Sequence, residues 1–380
     1  MVDFHFPTRL KFGRGVAQGL RNYLAENWPQ GKILWVTDQG IRAAGLIDSL
    51  LGDLAEIEVF DEVEANPKSS TIDRAACLAR RFQPAVVVGI GGGSVLDAAK
   101  AIALLVTNPG TIASYEGRRK YIHPPVPVVA VPTTCGTGSE VTWVAVVTDE
   151  NRKFKMSIKG PEMFPHTALV DPDTLLTLPS SLVASTGLDA LTHAIEALNV
   201  KPATYLTDLL ALEAIKLIIT SLKDACLDIK NNHQARERIM LGSTVAGLAF
   251  GQSDVGAVHC LSEALGAWYD LPHGVTNAIF LPLVMEFNFD YAFPKYARAA
   301  YYLELVEREI DERSAARELV NLVASLTQEV NIPSVKELGI KESDFPHLAQ
   351  RAEENNSNPS NPRPATQEDY LALLKKAWGR

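Results

Sequence analysis

Two histidines, His259 and His273, frame the mostly apolar run "VHCLSEALGAWYDLPHG" in a chain with eight histidines among 380 residues. Taken singly, each reads as a core histidine with satisfied nitrogens. Upstream, "STGLDALTHAIEAL" has helical spacing and places Asp189 and His193 four residues apart on one face. Thr192 and Glu196 share that face, so this segment by itself reads as a solvated stripe. Together, one carboxylate and three imidazoles form an N/O donor set suited to Fe²⁺ or Zn²⁺, with a position left open for substrate. Spacing joins Asp189 to His193. It does not show that the two pairs converge.

A second constellation lies in the first half. "VVVGIGGGSVLDAAKAIALL" reads as strand, turn and helix. Gly91, Gly92 and Gly93 permit close backbone approach, and the helix opened by Ser94 offers its N-terminal N–H groups to an anion such as a diphosphate. A tight turn without a ligand explains the same glycines equally well, and the spacing departs from the GxGxxG fingerprint. "VPTTCGTGSEVT" crowds Thr133, Thr134, Thr137 and Ser139 beside glycines after an apolar strand. Such hydroxyls can bind phosphate, ribose or a carboxamide, although a polar surface turn is the alternative. Asp38 ends "ILWVTD", where a carboxylate can accept from a ribose 2′-OH and repel a 2′-phosphate. An aspartate in that position is otherwise an ordinary turn residue.

The elements that must hold these groups follow from patterning. "KILWVTD", "EIEVFDEV", "PAVVVGIGGGS" and "VPVVAVPTT" read as strands, and "QGIRAAGLIDSLLG" and "TIDRAACLARRF" as helices between them. Continuous Val/Ile runs indicate strands buried on both faces, hence a parallel sheet with helical crossovers. Beyond "LPSS" at 178–181 the pattern turns helical, in "SLVASTGLDALTHAIEAL", "YLTDLLALEAIKLIITSLKDACL", "ARERIMLGSTVAGLAFG" and "SAARELVNLVASLTQEV". The expected organisation is an α/β domain over 1–180 followed by an all-α domain over 181–380. "ENNSNPSNPRPAT" reads as a polar, proline-rich loop, after which Thr366 caps a last helix through Trp378.

The totals bound the function. A hydrophobic fraction of 47% with 21% charged residues fits a globular protein with a large core. A net charge of −9 argues against nucleic acid or an anionic membrane as partner. Cys77, Cys135, Cys226 and Cys260 form no CxxC pair, which fits reduced thiols in the cytoplasm. Neither a signal-peptide core in "MVDFHFPTRLKFGRG" nor a membrane-spanning run is expected.

Four motifs, "GGGSVLDAAK", "PTTCGTGSEVT", "GLDALTHAIEA" and "VHCLSEALGAWYDLPHG", occur in an order and spacing that resembles the iron-containing (group III) alcohol dehydrogenase family. The likeness runs from "KFGRG" to "NPRPAT" and "KKAW", nearly the whole chain. It implies a Rossmann-like nucleotide domain, a helical domain with the catalytic cleft between them, and a homodimer. It implies metal ligation by Asp189, His193, His259 and His273. It also places Gly92, Gly93, Ser94, Asp97, Thr133, Thr134, Thr137 and Lys155 along the NAD. The expected activity is an NAD(H)-linked, Fe²⁺- or Zn²⁺-dependent alcohol dehydrogenase or aldehyde reductase with a small alcohol or aldehyde substrate. Rivals are a glycerol dehydrogenase- or maleylacetate reductase-like enzyme, a dehydroquinate synthase-like lyase and a non-enzymatic nucleotide sensor.

Two departures stand out. Many relatives carry a second histidine four residues after the first of the "VH" motif, where this chain has Glu263. Asp254 takes the place of a glycine in "SDVGAVH". Both are expected close to the substrate. One turn after His259 on the same helix face, Glu263 could orient a ligand histidine, relay a proton or simply face solvent, and a role beside the substrate is the expectation.

Overall fold

Alternation within buried strands explains the first half of the chain. In the computed structural model, which describes residues 3–51 and 56–379, the order begins β1 (Arg9–Phe12), α1 (Leu20–Asn27), β2 (Ile33–Val36), α2 (Gln39–Ala43), α3 (Leu46–Leu51) and β3 (Ile57–Phe60). It continues through α4 (Ser69–Phe82), β4 (Val86–Gly91), α5 (Gly93–Thr107), β5 (Gly117–Arg118), β6 (Val128–Pro132), β7 (Val144–Asp149), β8 (Phe154–Lys159) and β9 (Thr167–Val170). Leu34, Val36 and Val87 face a core shared with α4 and α5. Ile33, Trp35, Val86, Val88 and Ile90 face the opposite core, shared with α1 and α3. Both faces are covered, so neither face of β2 or β4 needs polar side chains.

The main sheet is parallel, with order β1-β9-β6-β4-β2-β3. The chain winds outward from β2 to β3 and then returns to lay β4 on the other side of β2. The C-terminal ends of β2 and β4 therefore flank the point where strand order reverses, the usual place for a ligand crevice in an open α/β sheet. Thr37 Oγ ties the two ends by donating to the Ile90 carbonyl at 2.8 Å. A second, three-stranded sheet, β5-β8-β7, includes an antiparallel β7–β8 hairpin that the strand pattern did not reveal.

Two expected helices are broken. "QGIRAAGLIDSLLG" becomes α2 and α3, because Gly45 adopts a left-handed φ of 74° that ends the first; Gly52, the last residue of that run, lies outside the described residues. In the helical half, "YLTDLLALEAIKLIITSLKDACL" divides at Thr220 and Ser221. Their hydroxyls bond back to the carbonyls of Lys216 and Leu217, competing with the helical ladder.

The chain separates into two compact units, Asp3–Leu178 and Pro179–Arg380. The second comprises α6 (Ser180–Asn199), α7 (Tyr205–Ile219), α8 (Leu222–Asp228), α9 (His233–Phe250) and α10 (Ala257–Tyr269). After these come α11 (His273–Phe287), α12 (Phe289–Tyr302), α13 (Glu312–Glu329), α14 (Phe345–Glu353) and α15 (Gln367–Trp378). Helix α6 is the hub: every residue from Gly187 to Asn199 is buried, and α7, α9 and α11 pack around it. Thr366 and Asp369 form a capping box at the start of α15. Among the described residues no helix is long and apolar enough to cross a membrane.

The β4–α5 turn has no room to spare. A Cβ on Gly93 would lie 2.4 Å from Thr137 Cγ2 and 2.5 Å from its Oγ1. Gly93→Ala should destabilise the fold by about 1–3 kcal/mol, measured by urea unfolding. Combination with Thr137→Ala should recover part of that loss, and strict additivity of the two changes would contradict this packing.

Candidate metal centre

Three helices deliver the four expected ligands. Asp189 and His193 lie one turn apart on α6, His259 sits in the first turn of α10, and His273 opens α11. Their donor atoms all lie within 4.8 Å of one another. Asp189, His193 and His259 are buried, while His273 keeps some exposure. His193 Nε2 and His259 Nε2 are 3.0 Å apart, and Asp189 Oδ1 and His273 Nε2 are 3.8 Å apart. Metal–ligand bonds of 2.0–2.2 Å in a tetrahedron require donor separations of roughly 3.4 Å, which these two distances bracket. One divalent ion fits the cage.

The tautomer of His259 agrees with that fit. Its Nδ1 is 2.6 Å from Glu196 Oε2. A carboxylate only accepts, so Nδ1 carries the proton and Nε2 turns its lone pair into the cage, the ligating form. Burial alone pushes the pKa of His259 down, but Glu196, Asp189 and Glu263 act in the opposite direction and leave it above the ordinary histidine value. A field that favours a proton on this ring also favours a cation beside it. His193 stacks on Phe250 with ring centroids 4.2 Å apart, which fixes its plane.

Glu196 and Thr192 are not a solvated stripe: they are 3% and 0% exposed. The Glu196 carboxylate also accepts from the backbone N–H groups of Gly256 and Val258, both at 2.8 Å. Asn361 Oδ1 takes the intervening N–H of Ala257 at 3.2 Å. The start of α10 is thus capped by side chains remote in sequence, and a Cβ on Gly256 would come within 2.9 Å of Asn361 Oδ1 and 3.2 Å of Glu196 Oε1.

Asn277 was not anticipated. One turn into α11 and fully buried, it donates from Nδ2 to Asp189 Oδ1 at 2.6 Å. The same nitrogen lies 3.2 Å from His259 Nε2 and 3.1 Å from His273 Nε2. Its two N–H groups can serve at most two of these three atoms at once, and the shortest contact, to Asp189, is the one that holds that carboxylate in place. Asn277 follows His273 at helical spacing, a signal that spacing alone leaves indistinguishable from an ordinary polar helix position.

In the first unit, most of the other expected residues gather at the C-terminal ends of three neighbouring strands, while Asp97 lies within α5 and Lys155 on β8 of the second sheet. Asp38 follows β2, Gly92 to Ser94 follow β4, and Thr133 to Thr137 follow β6. Gly92 caps α5 without any side-chain cap, leaving the first-turn N–H groups open to an anion. A Cβ on Gly92 would sit 3.1 Å from Thr134 Cγ2, so the glycine and threonine loops are in contact. Asp38 Oδ1 accepts from the Ile41 N–H at 2.8 Å and caps α2. Asp97 is fully engaged, by Ser139 Oγ at 2.6 Å, the Val146 N–H at 3.0 Å and Lys100 Nζ at 3.1 Å. Lys155 is buried and donates to Asn66 Oδ1 at 2.8 Å.

Comparison with known proteins follows these two halves. Residues 7–172 match the family model described as iron-containing alcohol dehydrogenase, and residues 183–378 match the one described as Fe-containing alcohol dehydrogenase family, C-terminal. The chain belongs to the iron-containing alcohol dehydrogenase family. It is 37% identical over 354 residues to 1,3-propanediol dehydrogenase of Klebsiella pneumoniae, covering 91% of each chain. With the NAD-dependent methanol dehydrogenase of Bacillus methanolicus it shares 35% over 385 residues, 99% of this chain and 100% of that one. The crystal structure of a 1,3-propanediol oxidoreductase superposes with a TM-score of 0.94 at 35% identity, covering 99% of this chain and 100% of that one.

Within this iron-containing dehydrogenase, the two departures noted in the sequence are held by the same loop, linked through Asn355 and Ser357. Asp254 is tied down by Ser360 Oγ at 2.6 Å and Ser357 Oγ at 3.2 Å. Glu263 is half-buried on α10 and accepts from Asn355 Nδ2 at 2.6 Å. Both sets of partners come from the segment read as a polar loop, in which Asn355, Ser357 and Asn361 are in fact buried.

Glu196→Gln keeps the volume but turns one carboxylate oxygen into an amide donor facing N–H groups. Metal affinity should fall roughly 10- to 100-fold, measured by chelator competition on folded protein. Unchanged affinity would mean that Glu196 does not set the His259 tautomer.

Proposed function

We propose that this chain is an NAD(H)- and metal-dependent alcohol dehydrogenase, running as an aldehyde reductase in reverse, on small alcohols or aldehydes. The observation that carries the reading is the convergence of Asp189, His193, His259 and His273 within 4.8 Å, with the His259 lone pair turned inward. Those four residues would hold one divalent ion, with iron favoured by the family and zinc compatible with the donors. Gly92, Gly93, Ser94, Thr133, Thr134 and Thr137 would hold the diphosphate and nicotinamide ribose of NAD. Asp97 and Lys155 would shape that loop region through Ser139 and Asn66. When bound, the ion supplies Lewis acidity at the substrate oxygen and the nicotinamide supplies or accepts hydride. The first unit is then the dinucleotide-binding domain and the second the catalytic one.

The chain's own contribution is to hold its groups in place. Glu196 keeps a proton on Nδ1 of His259 and off Nε2, Asn277 steadies Asp189, and the uncapped start of α5 attracts the anionic end of the cofactor. Asp38, with one oxygen committed to its helix, would direct the other toward the adenosine ribose. Four free thiols suit a reducing compartment, so the proposed location is the cytoplasm. Strand β1, at one edge of the main sheet, offers a pairing edge for the proposed homodimer.

The test is an NAD(H)-coupled assay with small alcohols and aldehydes on metal-loaded and chelator-stripped protein. Activity should disappear on stripping and return with Fe²⁺ or Zn²⁺, and net NADH oxidation with an aldehyde would separate this reading from a lyase. Asp38→Gly should lower the preference for NAD over NADP on the order of ten-fold, about 1.4 kcal/mol. A parent enzyme indifferent to the 2′-phosphate would remove Asp38 from the cofactor site.

A further inference from the structure

We propose that Glu263 selects the substrate, accepting a hydrogen bond from a second hydroxyl on a neutral alcohol or aldehyde and repelling molecules with an anionic group in that place. This assignment rests on the dehydrogenase reading above.

The argument starts from how Glu263 is held. It stands one helical turn, about 5.4 Å, beyond the ligand-bearing position of His259 and on the same face of α10. Oε2 is committed to Asn355 Nδ2 at 2.6 Å. Asn355 is itself locked, 8% exposed, with its Oδ1 accepting from the Ser357 N–H at 2.9 Å. The carboxylate therefore cannot swing freely, and Oε1 is left as an oriented acceptor with no protein donor among the described residues. Neither oxygen forms an ion pair there. A fixed carboxylate with no lysine or arginine paired to it prefers a neutral donor and disfavours a second anion.

Asp254, the other acidic departure, is a useful contrast. Its two oxygens are occupied by Ser357 and Ser360, so its charge is spread into the loop. Of the two, Glu263 alone keeps a whole oxygen without a protein donor among the described residues. Glu263 also stands near enough to the ligand set for its charge to act on His259. A simple helix-surface glutamate would have no reason to be gripped by a buried asparagine.

Three alcohols that differ only at the third carbon test the proposal: 1,3-propanediol, 1-propanol and 3-hydroxypropanoate. Their kcat/KM values for NAD reduction are measured on metal-loaded enzyme, with metal content and thermal midpoint recorded for every variant. The diol should exceed 1-propanol by about ten-fold or more and 3-hydroxypropanoate by about 10²-fold. Glu263→Gln keeps an acceptor but removes the charge, and should raise 3-hydroxypropanoate at least about ten-fold relative to the diol. Glu263→Leu should reduce the diol to the level of 1-propanol. Calorimetric binding of the diol and the hydroxyacid to metal- and NADH-loaded protein should show the same order. A parent enzyme that uses the hydroxyacid as well as the diol would overturn the assignment, as would an unchanged ratio in Glu263→Gln with metal intact. If none of the alcohols reduces NAD, the dehydrogenase reading falls. Calorimetry then still decides the selection, because equal affinity for the two ligands overturns it.

Discussion

A single buried carboxylate organises the helical unit. Glu196 receives the N–H groups of Gly256 and Val258 and the Nδ1 proton of His259. Each of these donors is buried and would otherwise go unpaired, at a cost of about 1–3 kcal/mol apiece. A neutral amide can satisfy one or two of them but not all three. The negative charge also lies at the N-terminal end of α10, where the helix dipole favours it. One side chain thereby sets where α10 begins, how it meets α6 and which nitrogen of His259 is free to bind a cation. The ligand cage depends on that junction, since His259 lies in the first turn of α10 with its Nδ1 held by Glu196.

The first unit solves a different problem by leaving groups unsatisfied. Helix α5 begins at Gly92 without a side-chain cap, although Ser, Thr, Asp or Asn in that place would stabilise it by about 1 kcal/mol. A side chain there would press on Thr134, whose Cγ2 would lie 3.1 Å from its Cβ, so a capping residue would require the threonine loop to shift. An open helix start, at the point where strand order reverses and with hydroxyls crowding over it, is the arrangement expected where an anionic ligand supplies the cap. Neighbouring Asp38 does cap its helix, but with one oxygen only.

Much of this was legible from spacing, and what was not has physical causes. Val/Ile runs announced the doubly covered parallel sheet, since β2 and β4 bury every position. The hairpin of β7 and β8 escaped because "VAVVTD" and "FKMSIK" lack a tight-turn dipeptide between them. Asp189 and His193 could be paired by helical periodicity. Their meeting with His259 and His273 depends on how α6, α10 and α11 pack, which no local pattern encodes; only the family likeness supplied it. Glu196 was misread for the same reason. Its neighbours on the helix face, Thr192 and His193, look polar enough for solvent, and the burial comes from α7, α9 and α11 packing around α6, with the start of α10 meeting Glu196. Asn355, Ser357 and Asn361 looked like loop composition because asparagine, serine and proline mark turns whether or not those turns are buried.

Asn277 shows what the cage requires. Its Nδ2 donates to Asp189 and lies within reach of His259 and His273, yet its Oδ1 is buried without a hydrogen-bond partner among the described residues. Leaving such an oxygen dry costs about 1–3 kcal/mol, and an apolar residue of similar size would avoid that cost in an ordinary core. Turning the amide over would not help, since it would set an oxygen against the carboxylate of Asp189 and the inward lone pair of His259. The amide can therefore satisfy only one end, and it satisfies the end that faces the ligands. A neutral donor there steadies Asp189 without adding charge that would compete with a cation, which a lysine or arginine would do. The unpaired oxygen is the local instability accepted for a rigid, cation-ready set of ligands at the packed junction of α6 and α11.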